Sequence, residues 1–81
     1  MSYILIYPTE TAFVWHTVVN ADTYVLKVGT ATGQSDIFNQ DVGNVINYFL
    51  HLAPGTYYSN VIPMDGATPL TALGEQMVVV I

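Results

Sequence analysis

Leu52-Ala53-Pro54-Gly55-Thr56-Tyr57-Tyr58 is the stretch on which the reading of this chain turns. Leu52 closes an apolar run, and Pro54-Gly55 supplies backbone suited to a turn. Thr56-Tyr57-Tyr58 then opens a second run of β-branched and aromatic residues. A strand, a turn and a second strand are therefore expected here.

The same pattern repeats on either side. Runs rich in Val, Ile, Tyr and Phe occupy residues 3–7, 11–18, 23–30, 35–39, 45–52, 57–64 and 75–81. Between them lie Pro8, Asn20-Ala21-Asp22, Gly29 through Gly33, Val42-Gly43-Asn44, Pro54-Gly55 and Asp65-Gly66, all suited to turns. Such spacing, about 8 to 12 residues from run to run, belongs to an all-β sandwich or barrel. Residues 41–52 partly fit a helical period, but Val45, Ile46, Tyr48 and Phe49 are β-branched or aromatic and favour a strand. Seven antiparallel strands are predicted, in one domain spanning residues 1–81.

Composition narrows the function. Of the 81 residues 52% are apolar and only 9% are charged, against about 25% charged in an ordinary globular chain. There is no cysteine, so neither a disulfide nor a thiolate–metal staple supports the fold, and packing has to. Lys27 is the single basic side chain, there is no arginine, and the net charge is −5. Phosphate backbones and anionic lipid surfaces are held by several Lys or Arg side chains, so neither a nucleic acid nor a membrane surface is an expected partner. Residues 1–7 lack the basic region of a secretory leader, and the apolar runs fall far short of the ~20 residues that cross a bilayer.

Alternation assigns faces, because side chains two apart along a strand point the same way. Thr11, Phe13 and Trp15 share one face, with Val14 and His16 opposite. Tyr24, Leu26 and Val28 go together and leave Lys27 to solvent. Tyr48, Leu50 and Leu52 face inward, leaving Phe49 and His51 outside.

The opening stretch resembles the L-x-P-G-T-x-Y signature of fibronectin type III domains at every fixed position, from Leu52 to Tyr58. The likeness extends over about residues 10 to 80. Trp15 stands where that family keeps a strand B tryptophan, and residues 20–26 resemble its B to C turn and strand C tyrosine. The resemblance implies a seven-stranded antiparallel sandwich of the fibronectin type III or immunoglobulin-like kind. It also implies that Tyr58 forms the tyrosine corner, burying its ring and using its hydroxyl to satisfy a backbone group upstream. The expected core is then Phe13, Trp15, Tyr24, Leu26, Leu50, Leu52, Tyr58 and Ile62. Asn60 falls on the inward face of strand F in this register, where the family usually has an aliphatic residue.

Chemical sites are sparse. His16 and His51 fall on the outer face of two paired strands, several rungs apart, whereas a zinc site needs three or four ligands about one point. No cysteine is available as a nucleophile, and Ser2, Ser35 and Ser59 have no His and Asp near them. Gly29-Thr30-Ala31-Thr32-Gly33 lacks the lysine of a phosphate loop and reads as a hairpin loop. Asp22, Asp36 and Asp41 are placed at one end of the sandwich, but their spacing matches no calcium loop. No enzyme activity, cofactor or metal is expected.

The terminal runs, residues 3–7 and 77–81, are apolar on both faces, where an isolated two-layer sandwich keeps one face wet. In the family these are edge strands A and G, so Tyr3, Ile4, Ile6 and Val80 are the expected contacts with another protein chain. The function expected is that of a non-enzymatic structural or binding module, a small decoration or cement protein of a phage capsid or tail, located in the virion. Its partners would be lattice proteins or further copies of itself. The alternative is an extracellular adhesion or carbohydrate-binding module that is part of a larger protein.

Overall fold

In residues 10–81, the part of the chain that the computed structural model describes, every regular element is a strand. The strands are β1 Glu10–Val14, β2 Thr23–Gly29, β3 Phe38–Gly43, β4 Asn47–His51, β5 Gly55–Asp65, β6 Thr68–Pro69 and β7 Gln76–Val80. They make two antiparallel sheets. One contains β1 and β4; the other has the order β3-β2-β5-β6, with β7 also pairing β5. An all-β domain of two sheets, compatible with a sandwich, is what the alternating pattern implied.

β2 shows why these residues form a central strand. Tyr24, Leu26 and Val28 are buried on one face, while Thr23, Val25 and Lys27 stay half-buried on the other. Aromatic and branched side chains suit such a pleated, half-covered surface. Phe13 and Trp15 from β1 and its continuation, together with Leu52, pack on this face. The Trp15 and Tyr24 ring centroids lie 5.9 Å apart at 52°. The Tyr24 hydroxyl also accepts the Val18 N–H at 2.9 Å, tying down the link from β1 to β2.

β5 is the longest strand and pairs β2, β6 and β7. Its register with β2 sets Leu26 opposite Val61 and Val28 opposite Ser59; β7 sets Val78 opposite Tyr57. Directly opposed residues share a face, so Tyr57, Ser59, Val61 and Pro63 point into the core and are buried. This corrects the sequence reading by one residue. The corner tyrosine is Tyr57, whose hydroxyl donates to the Ala53 carbonyl at 2.6 Å. Tyr58 is half-buried on the opposite face, and so is Ile62. The adjacent tyrosines both satisfy a hydrophobic pattern, and the burial of small Ser59 and Pro63 disguises which face is the inner one.

The same shift accounts for Asn60. It lies on the outer face, and its Oδ1 accepts the Gly74 N–H at 3.1 Å, holding the segment before β7. Leu50 and Tyr48 are partly buried against the core from β4, and the Tyr48 ring sits 5.4 Å from Phe38.

Loop chemistry moves one strand. A run at 35–39 was expected, but β3 starts at Phe38, because the Asp36 carboxylate is engaged by Thr30 across the hairpin loop. Gly29 is required beside it: a Cβ there would collide with the Gln34 carbonyl. β6 was not expected, and the run at 3–7 lies outside the described residues.

Tyr57→Phe is expected to destabilise the domain by about 1 to 3 kcal/mol, since the ring still packs while a partly buried carbonyl loses its donor. Tyr58→Phe should change stability by less than ~0.5 kcal/mol. Chemical denaturation of the two variants checks both, and the reverse order would put the corner back at Tyr58.

Candidate interaction surface

Two apolar surfaces and a cleft stand out once the faces are fixed. On the β1–β4 sheet the register sets Ala12 beside Phe49 and Val14 beside Asn47. All four face away from the core, leaving Val14 72% and Phe49 52% exposed. At the end of the patch His51 Nε2 lies 3.2 Å from Glu10 Oε2. On the second sheet β7 turns Met77 and Val79 outward, 64% and 61% exposed, beside Tyr58 and Thr56.

Of the residues expected to meet a partner, Val80 is corrected. Opposite Gly55, it shares the inner face with Val78 and packs partly against the core, so Val79 is the outward side chain. Tyr3, Ile4 and Ile6 lie outside the described residues. Phe49 and Val14 were legible in the sequence as outward residues, but only the structure places them on neighbouring rungs of one face.

The cleft lies between β1 and the strands β5 and β7. It holds about 400 Å³, and its mixed lining includes apolar Phe13, Trp15, Leu73 and Val78 beside polar Ser59 and Gln76. The Trp15 indole N–H is buried with no hydrogen-bond partner among the described residues. A smaller depression beside Lys27, Tyr58, Asn60 and Glu75 holds about 140 Å³, below the roughly 300 Å³ of ordinary small-molecule sites.

Four carboxylates serve the loops. Asp22 accepts the Gly66 N–H at 2.9 Å, Asp41 accepts from the Gly43 N–H and the Thr23 hydroxyl, and Glu75 accepts the Gly33 N–H at 2.8 Å. Asp36 takes the Thr30 N–H at 2.9 Å and its hydroxyl at 2.8 Å. Asp36 therefore sits beyond one end of β2 and Asp22 and Asp41 at the other, so the three do not share an end of the domain. His16 and His51 stand at opposite ends of the β1–β4 pairing. Among the described residues no three metal-ligating side chains converge, and no helix is long and apolar enough to cross a membrane.

Set against family models, curated proteins and solved structures, the chain gives no significant match.

The backbone and side-chain hydrogen bonds from Thr30 hold the Asp36 carboxyl below its ordinary value of 3.8. A carboxyl depressed on folding stabilises fully above its unfolded pKa, and the contribution is lost as pH falls through the lower folded value. A carboxyl-carbon titration should therefore give Asp36 a midpoint below 3.8, with the loop at residues 30–36 loosening at that pH. A midpoint at or above 3.8 would show that the Thr30 bonds do not form in solution.

Proposed function

We propose that this chain is a non-enzymatic structural module of the fibronectin type III kind that works through protein–protein contacts, as a small decoration or cement protein of a virus particle. The observation that carries the reading is the exposure of Val14 and Phe49 on one sheet and Met77 and Val79 on the other. In a chain with a single basic side chain and carboxylates tied to loops, these apolar faces are its principal means of recognition.

The strand order supports the family reading. Immunoglobulin-type sandwiches pair strands B and E in one sheet and C, F and G in the other. Here β1 pairs β4, and β2, β5 and β7 are neighbours, with a tyrosine corner at the start of β5. The particle assignment rests on the chemistry of a small, sparsely charged, apolar-faced domain, whose weak single contacts add up when many copies bind one lattice.

Density-gradient fractionation of particles from the producing culture tests this. The chain should co-sediment with particles in many copies, and Phe49→Lys should fold normally yet bind at least tenfold more weakly. If the chain stays with free protein while binding glycans on an array, the extracellular adhesion or carbohydrate-binding alternative replaces this reading.

A further inference from the structure

Asp65-Gly66 is the one place in the sequence where an aspartate or asparagine precedes a glycine. That pair carries a chemistry of its own. The peptide nitrogen after an aspartate can close a five-membered ring on the side-chain carboxyl, and glycine has no Cβ to hinder the approach. A bond forms between the Gly66 nitrogen and the Asp65 Cγ, while a carboxyl oxygen leaves as water with the amide proton and one proton from the medium. Water then reopens the imide at either carbonyl. One product is aspartate again; the other is isoaspartate, in which the main chain runs through Cγ. Water is the only co-reactant.

The structure places this pair under restraint. Asp65 is paired with Thr68, so Gly66 and Ala67 form a two-residue loop between β5 and β6. Gly66 has φ of 62°, and among the described residues Asn20 is the only non-glycine with positive φ, so the loop is of the II′ kind. The Gly66 N–H lies inside that loop and is satisfied from elsewhere: the Asp22 carboxylate accepts it at 2.9 Å. Asp22 also donates its own N–H to the Met64 carbonyl at 2.6 Å. The two bonds clasp the hairpin on either side of Asp65.

This clasp bears on the ring closure directly. The attacking nitrogen must lose its proton, and that proton is held by a carboxylate far too weakly basic to take it from an amide. Removing it would leave two anionic centres about 2.9 Å apart, which is electrostatically costly. The pairing with Thr68 meanwhile keeps Asp65 in extended backbone, so the ring closes only after the turn has opened.

We infer that Asp65-Gly66 is a latent site of aspartate isomerisation and that Asp22, 44 residues away along the chain, is the residue that holds it closed. The inference is independent of the protein-contact reading. Isoaspartate adds a methylene to the main chain between Asp65 and Gly66, which the two-residue connection from Asp65 to Thr68 does not accommodate. An isomerised chain therefore loses the β5–β6 closure, and opening of the hairpin becomes irreversible.

Purified full chain is aged at neutral pH and 37 °C, isoaspartate is counted by enzymatic methylation, and fragmentation mass spectrometry locates it. The folded parent should accumulate it slowly and at residue 65. Asp22→Ala should age at least about tenfold faster while still folded, the factor that losing one hydrogen bond to a charged group implies. Glu75→Ala, which removes the loop contact to Gly33 instead, should age at the parent's rate. Asp65→Glu should abolish the signal. Should Asp22→Ala not fold, the parent alone decides: its Gly66 amide should be protected from hydrogen exchange, and its ageing should speed up at least about tenfold in denaturant. Folded Asp22→Ala ageing at the parent's rate, Glu75→Ala matching Asp22→Ala, or a parent that ages equally fast folded and denatured would each overturn the inference.

Discussion

The hydrogen bond from the Tyr57 hydroxyl to the Ala53 carbonyl is the constraint from which the rest of this domain is built. It closes the corner after Leu52 and fixes which face of β5 looks inward. β5 then passes that decision to β2, β6 and β7, all of which pair with it. Because side chains alternate with a period of two, a slip of one residue would exchange the inner set Tyr57, Ser59, Val61 and Pro63 for Tyr58, Asn60, Ile62 and Met64. Asn60 would then be buried and would lose Gly74 as its donor.

With no cysteine and few charges, the domain spends its polar groups on geometry. Asp22 reaches Gly66 and Glu75 reaches Gly33, joining loops 44 and 42 residues apart in the chain. Asp36 closes the hairpin loop that Gly29 makes room for. Hydrogen bonds to charged acceptors are stronger than neutral ones, and at loop ends they satisfy amides that no strand can pair. What remains for the outer faces is mostly neutral and apolar, and this links the folding economy of the chain to its capacity for protein contacts.

Much of the architecture was legible in the sequence, because Tyr24, Leu26 and Val28 in β2 and Phe13 and Trp15 after Glu10 recur with a period of two, although Val25 and Val14 between them are also apolar. These residues are buried as alternation places them. β5 was not legible to the same degree. Both of its faces carry apolar side chains, and its inner face includes Ser59 and Pro63, so pattern alone could not choose between Tyr57 and Tyr58. Val80 was misassigned for a related reason: Met77 through Ile81 are apolar without alternation, and only pairing with β5 separates inner Val78 and Val80 from outer Val79. The outward residues Val14 and Phe49 were visible one by one, but their diagonal placement on one face depends on the β1–β4 register, which no local pattern encodes.

The register of β5 is therefore the point at which the account is most exposed. Nuclear Overhauser contacts among methyl and aromatic groups in solution measure it directly. The account predicts contacts from the Leu26 methyls to Val61 and placement of the Tyr57 ring among the core residues, with Tyr58 and Ile62 remote from Leu26. Contacts from Leu26 to Ile62, with Tyr58 rather than Tyr57 in the core, would contradict it.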